Sequence, residues 1–310
     1  MSALPDRDAA AAVRVRPMSI HIGAEIEGVD LTRPLAPGVV AAIRAALLEW
    51  KVVFFRGQPL DHAQHIAFAR HFGDPTPGHV VFGGDAVYPE IYSVAKHRVS
   101  NRIEGSPYVR SWTGWHSDIT AAINPPSASI LRGVTVPPYG GDTFWTNLAV
   151  AYRTLSAPMR RFIEGLRGVH SFEEGWGGRM NPEYHERVRR SRYVSEHPLV
   201  RVHPETGEKL LFVSPGFLKS ITDLERRESE VLLELLWEHV VRPEFTVRFR
   251  WEPGSLAFSD NRSTAHLAPR DIFDSDFDRQ FYRITLVGDV PRGVDGREST
   301  PIEGDPISAV

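Results

Sequence analysis

RQFYRITLV, residues 279–287, alternates with a period of two. Arg279, Phe281, Arg283, Thr285 and Val287 leave one face, and Tyr282, Ile284 and Leu286 leave the other, which predicts a strand. Upstream, Val247, Phe249 and Trp251 alternate with Arg248 and Arg250 in the same way, and Val52–Phe55 is a short apolar run. PETGEK, residues 204–209, is a hairpin turn between two apolar runs. Helical spacing is confined to three stretches. Val39 to Trp50 carries a stripe at 39, 40, 43, 46, 47 and 50. Asp61 to Phe72 opens with Asp61 and Gln64 at capping-box spacing and stops at Gly73. Glu228 to Val240 has one broad leucine-rich side. Strands dominate the second half, so the pattern predicts a mainly β fold, an antiparallel sheet system with flanking helices, not a doubly wound α/β sheet. No Gly-rich phosphate loop follows any strand, which removes the main support for nucleotide binding.

The chain has 310 residues, 42% apolar and 24% charged, ordinary globular values with ample material for a core. Its net charge of −3 argues against a nucleic-acid partner, which needs an excess of positive charge. There is no cysteine. A disulfide scaffold, a thiolate zinc site, an iron–sulfur cluster and a cysteine nucleophile are therefore excluded, and any metal must sit on His, Asp or Glu. No stretch approaches the roughly 18 apolar residues of a membrane span, and the first residues lack a signal-peptide apolar core. A soluble, cytoplasmic protein is expected, and a homo-oligomer stays open. Residues 1–17 are expected to form a disordered lead-in. Residues 18–310 are expected to form a single domain, since no long linker, repeat or low-complexity tract interrupts them. Two long polar stretches, near 79–112 and 172–193, are expected to be lid insertions.

With 13 histidines and 39 acids in 310 residues, about 1.6 His-x-Asp/Glu tripeptides arise by chance, so the tripeptide alone proves nothing. Two occur. His116-Ser117-Asp118 lies in WTGWHSDIT, which reads as extended, so both side chains leave one face as two ligands of one metal require. His203-Pro204-Glu205 runs into the hairpin turn and reads as a surface feature. A third ligand should come from a distant strand end, and His266 in DNRSTAHLAPRD is the best candidate. Two imidazoles and one carboxylate leave coordination positions open, the facial arrangement of non-haem Fe(II) oxygenases. A zinc-type hydrolase could use the same three ligands, and a non-catalytic binding protein is the third possibility.

Seven segments in order resemble the taurine dioxygenase/TfdA-like family of Fe(II)- and 2-oxoglutarate-dependent dioxygenases. They are Gly23–Leu31 (GAEIEGVDL), Val52–Gly57 (VVFFRG), Phe68–Gly73 (FARHFG), Trp115–Asp118 (WHSD), Pro138–Asn147 (PYGGDTFWTN), Trp251–His266 (WEPGSLAFSDNRSTAH) and Arg283–Asp289 (RITLVGD). The resemblance implies a distorted jelly-roll (double-stranded β-helix) core with flanking helices. It implies Fe(II) held by His116, Asp118 and His266, with 2-oxoglutarate as co-substrate and O2 as oxidant. Thr143 and Arg279 match the family residues that hold the far carboxylate of 2-oxoglutarate, which a planar guanidinium can bind bidentately.

An arginine strip on a strand ordinarily reads as a solvated face. The family match reverses that reading, because Arg279 and Arg283, about 13 Å apart at about 3.3 Å per residue, then need two anions. One is 2-oxoglutarate. Arg283 matches the position that pairs with the substrate's acidic group. Trp112 stands where a taurine-binding polar residue is expected, which implies a larger or more apolar substrate. With His79 and Tyr92, from the same aromatic-rich segment, it is expected to line that substrate. The expected partner is therefore a small, anionic, largely apolar molecule, oxidised at a C–H bond while 2-oxoglutarate loses CO2 to give succinate.

Overall fold

A computed structural model of the chain describes residues 13–96, 110–172, 186 and 188–310. In the first half run β1 (Arg14–Pro17), β2 (Ala24–Glu27), α1 (Pro37–Trp50), β3 (Val52–Phe55), α2 (His62–Arg70), β4 (Tyr92–Ala95), β5 (Ala128–Thr135), β6 (Thr143–Asn147), α3 (Leu148–Thr154) and α4 (Ala157–Ile163). They are followed by β7 (Arg167–Ser171), β8 (Val194–Pro198), β9 (Val200–Val202), β10 (Lys209–Leu211), β11 (Leu218–Ile221) and α5 (Arg226–Val240). The chain closes with β12 (Thr246–Phe249), β13 (Leu256–Asp260), β14 (Thr264–Leu267), β15 (Gln280–Leu286) and β16 (Thr300–Glu303).

Seven strands form one sheet in the order β1-β2-β3-β13-β5-β15-β4, and three form another, β12-β6-β14. A four-stranded sheet, β11-β7-β8-β16, and the β9–β10 hairpin complete the fold. Among the described strands only the β2–β3 pairing is parallel. The fold is mainly β with helices outside, as the period-two stretches predict. Residues 14–17 correct one expectation. Their composition predicts a disordered lead-in, but they pair with Ala24–Glu27 as an exposed edge strand.

Both faces of the large sheet are buried, because apolar residues occupy both phases of its central strands. Val52, Phe54, Ala257 and Phe281 point toward the three-stranded sheet. There Phe54 stacks on Phe249 at 4.0 Å and meets Trp145 edge-on at 5.4 Å, geometries that add to the burial of apolar area. Val53, Phe55, Phe258, Ile284 and Leu286 face the other way, onto Ile43 and Leu47 of α1 and Ile66 and Phe68 of α2. The capping box foreseen at Asp61 is present, with Gln64 N–H donating to Asp61 and Asp61 N–H to Gln64. At the other end of β15, a bulge between Gln280 and Phe281 leaves Arg279 just outside the strand.

His65, His170 and His197 are fully buried. Burial pushes His65 and His170 down to about 3 and holds His197 well below its ordinary value. All three are neutral in the folded protein, whereas the unfolded chain protonates them near their ordinary value of about 6.5. Their stabilising contribution is therefore complete above that pH and is lost as pH falls toward the folded values, at up to about 1.4 kcal/mol per pH unit for each. The urea midpoint is expected to drop steadily from about pH 7 to pH 5. A flat midpoint over that range would mean the three imidazoles are solvated.

Candidate metal centre

β14 ends the tight turn that follows β13, and it brings His266 opposite His116. The two residues form an antiparallel bridge in which His116 N–H donates to the His266 carbonyl at 2.9 Å and His266 N–H donates back at 2.7 Å. That pairing sets the rings 4.2 Å apart, centroid to centroid. Asp118, two residues along the extended segment, falls on the same side. One ligand atom from each of His116, Asp118 and His266 lies within 4.8 Å of the others. His116 Nε2 is 3.9 Å from Asp118 Oδ1. Asp118 is buried while both imidazoles keep an open edge. The trio foreseen in the sequence is brought together.

Hydrogen bonds fix the ionisation and orientation of this trio. His116 Nδ1 sits 3.0 Å from the Gly114 carbonyl. A carbonyl can only accept, so Nδ1 carries the proton and Nε2 turns its lone pair toward Asp118. Burial pushes His116 down and His266 down to about 3, so both are neutral donors at physiological pH. Burial would push the Asp118 carboxyl up. Arg283 overrides it, together with the two imidazoles and the Ser129 hydroxyl, and the carboxyl is held well below the usual carboxylate range. Ser129 Oγ donates to Oδ2 and Arg283 Nη1 to Oδ1, each at 2.6 Å. Two neutral imidazoles and one carboxylate are the protonation states that a divalent metal needs. The donor set fits Fe(II).

On one side of the trio lies a buried cation. Arg279 is 7% exposed. Its Nε–H donates to the Gly141 carbonyl at 3.2 Å and its guanidinium lies over Phe281 at 3.8 Å. Among the described residues no carboxylate lies within ion-pairing distance of it, and burial pushes it down to about 10. A desolvated guanidinium in that state is short of an anion. Thr143, two residues after Gly141, is buried, and its hydroxyl accepts from Trp251 Nε1 at 2.9 Å. Trp251 packs on Phe281 at 4.6 Å, so Thr143, Trp251, Phe281 and Arg279 form one continuous wall. Gly141 has φ 65°, and a Cβ there would stand 3.2 Å from Arg279 Cδ, so glycine lets the loop approach the arginine.

On another side, Arg283 lies over the Tyr92 ring at 5.2 Å. Tyr92 contacts His79 at 4.9 Å, and His79 meets Phe172 at 6.1 Å. Phe172 packs on Phe217 at 5.6 Å, and Phe217 faces His116 at 6.4 Å. His79, Tyr92 and Arg283 are thus drawn into one aromatic arc that returns to the metal ligands. Trp112 is placed elsewhere. It is buried against Trp237 of α5 at 6.1 Å, under the Arg110 guanidinium. Beside the trio itself, Phe217 faces His116 and Trp145 faces His266, each at 6.4 Å. Phe172 opens the second polar insertion, whereas nothing local in the sequence marks Phe217, Ser129 or Gly114. Of the two expected lids, residues 97–109 of the first and 173–185 and 187 of the second lie outside the described residues.

His203 corrects a second expectation. Its turn sequence predicts a surface histidine, yet it is 2% exposed. Its Nδ1 accepts from the Glu205 and Thr206 N–H groups at 3.2 Å, and Nε2 donates to Asp260 at 3.0 Å. The reason is long-range: Asp260, 57 residues away, gives the ring a buried partner. Glu205 is likewise occupied, by Arg44 at 2.7 Å and Arg262 at 2.8 Å. Among the described residues no helix is long and apolar enough to cross a membrane.

Residues 14–285 match the family model described as taurine catabolism dioxygenase TauD, TfdA family. The chain is 40% identical over 294 residues to an alpha-ketoglutarate-dependent sulfate ester dioxygenase of Pseudomonas putida, covering 92% of this chain and 93% of that protein. A crystal structure of a taurine dioxygenase from Burkholderia xenovorans superposes with TM-score 0.82 at 62% identity, over 94% of this chain and 97% of that one. The crystal structure of AAD-2 in complex with Mn(II) and N-oxalylglycine superposes with TM-score 0.73 at 26% identity, over 90% and 98%.

Proposed function

Since the chain belongs to the TauD/TfdA family and is a 2-oxoglutarate-dependent dioxygenase, we propose that it oxidises a C–H bond in a small sulfate ester or sulfonate with an apolar body. In this reading His116, Asp118 and His266 hold iron(II). Bound iron, with 2-oxoglutarate and O2, supplies oxidation of a C–H bond coupled to loss of CO2 and formation of succinate. The two packed sheets serve as a jelly-roll core around the centre.

Arg279 and Thr143 take the far carboxylate of 2-oxoglutarate. The observation that carries this is the buried Arg279 guanidinium, which has no carboxylate within ion-pairing distance among the described residues and shares a wall with Thr143. The guanidinium neutralises the co-substrate's second charge, and the Thr143 hydroxyl, already accepting from Trp251, turns its proton toward the same anion. Ser129 and Gly114 hold the carboxylate and one imidazole in fixed orientations, so the metal meets ligands that need no reorganisation.

Arg283 and the arc of Tyr92, His79, Phe172 and Phe217 support the substrate class. A guanidinium beside aromatic rings suits an anionic head on an apolar chain. The likeness to a sulfate ester dioxygenase points the same way. If the oxidised carbon bears the sulfate, the hydroxylated product expels sulfate and leaves an aldehyde. Hexyl sulfate and hexanesulfonate are therefore expected to give more succinate than taurine, with hexyl sulfate also releasing inorganic sulfate. Arg283 also donates to Asp118 Oδ1, so Arg283→Leu should raise the KM for the sulfate ester by about 30-fold or more and lower kcat as well, with a much smaller change in the KM for 2-oxoglutarate. Equal turnover of hexyl sulfate and the neutral ether of the same length would show that Arg283 is not the substrate clamp.

A further inference from the structure

We propose that Asn261 is a positioning residue for the metal centre: its side-chain amide clamps the backbone on both sides of Asp118 and so aims the carboxylate at the two imidazoles. The inference rests on the reading of His116, Asp118 and His266 as the iron site. Asn261 is 4% exposed. Its Oδ1 accepts from Asp118 N–H at 2.6 Å. Its Nδ2 donates to the Asp118 carbonyl at 3.0 Å and to the Pro126 carbonyl at 2.8 Å. Its own N–H donates to the Ser127 carbonyl at 3.0 Å. Every amide group of the side chain is thereby used. Asparagine fits because it offers one acceptor and two donors at this length; aspartate has no donor and leucine has neither.

The need for a clamp shows at the next residue. Ile119 has φ 47°, in the left-handed region. A β-branched residue stays there only when its surroundings over-determine it. Part of that constraint is apolar packing, since Ile119 is buried with Phe172 and Phe217. The other part is the amide of Asn261 on the preceding peptide groups. Freed from it, the turn can relax toward ordinary φ and rotate the carboxylate away from His116 and His266.

Asn261 can do this because its own turn is rigid. The buried Asp260 carboxylate accepts from Arg262 Nη2 at 2.6 Å and from His203 at 3.0 Å. Thr264 Oγ1 donates to the Asp260 carbonyl at 2.7 Å. This one turn between β13 and β14 therefore carries His266 on its outgoing strand and the clamp on Asp118 at its apex. Two ligands far apart in sequence are referred to the same rigid frame. Outer groups that orient a ligand change metal affinity by about 10–100-fold when removed.

Co(II) titration of the purified protein, followed by its visible absorption, tests this in wild type, Asp118→Ala and Asn261→Asp. Asn261→Asp keeps the acceptor and loses both donors. Wild type is expected to bind Co(II) and Asp118→Ala to bind it poorly. If wild type takes up no Co(II), the metal-centre reading falls and this inference with it. A folded Asn261→Asp protein is expected to bind Co(II) about 10–100-fold more weakly, with a shifted absorption band and more succinate per oxidised product. Unchanged affinity and band in that variant, with Asp118→Ala impaired, would overturn the role of Asn261 and leave the metal centre standing. Amide hydrogen exchange on wild type gives a second reading should the variant not fold. The Asp118 N–H is expected to exchange as slowly as strand amides; exchange at the rate of an open loop would remove the bond on which the clamp depends.

Discussion

His116→Ala, Asp118→Ala and His266→Ala are each expected to abolish succinate formation, a loss well beyond the 10–100-fold typical of groups that merely orient a ligand. The reason is geometric. Three side chains supply one ligand atom each, all within 4.8 Å of one another, and two remaining ligands cannot hold a divalent ion at the affinity of three. The histidine variants give the cleaner readout. His116 and His266 are neutral and partly exposed, so their removal leaves no charge behind. Asp118→Ala also strands Arg283, whose Nη1 lies 2.6 Å from the carboxylate, and should lower the melting temperature as well. Far-UV circular dichroism and turnover together check the prediction. Full activity in any one folded variant, with iron supplied, rules its residue out as a ligand.

Arg279→Ala is expected to weaken 2-oxoglutarate far more than the prime substrate. Removing one partner of a desolvated charge pair costs about 2–5 kcal/mol, or roughly 30- to several-thousand-fold in affinity. The direction of the stability change is opposite to that of most buried substitutions. In the protein alone Arg279 is buried with no acid at ion-pairing distance among the described residues, so its loss should cost little folding stability or even add some. An unchanged KM for 2-oxoglutarate would place the co-substrate's far carboxylate elsewhere. Thr143→Val should act in the same direction by about tenfold, since it removes one hydrogen bond to a charged group.

Much of this was legible because the informative patterns are local. The alternation of residues 279–287 marked β15, although Arg279 lies just outside it, and WHSD presented His116 and Asp118 together. The capping box at Asp61 announced α2. What was missed depends on distant partners or lacks a period. α3 is buried from Leu148 to Tyr152, so it shows no amphipathic stripe, and α3 and α4 are seven residues each. Their starts are marked by the side-chain caps of Asn147 and Ser156, with Pro158 in the first turn of α4. The β1 strand is exposed throughout and gains its structure from pairing with β2. His203 sits in a polar turn that reads as surface, and only Asp260 makes it internal. Ser129 and Asn261 bond to Asp118 from 11 and 143 residues away, a relation no spacing rule reaches. Trp112 lies near the ligands in sequence, yet the turn at residues 111–114 sends it toward α5.

The most direct test of the account is the fate of oxygen. The purified protein is incubated under 18O2 with Fe(II), ascorbate, 2-oxoglutarate and hexyl sulfate, and succinate and sulfate are analysed by mass. One atom of O2 enters the succinate carboxylate and the other enters the oxidised carbon. The account therefore predicts succinate carrying one 18O, formed in step with sulfate, and neither product when O2 or 2-oxoglutarate is left out. Sulfate released without O2 and without 2-oxoglutarate would contradict it, and would identify the three ligands as the centre of a metal-dependent hydrolase.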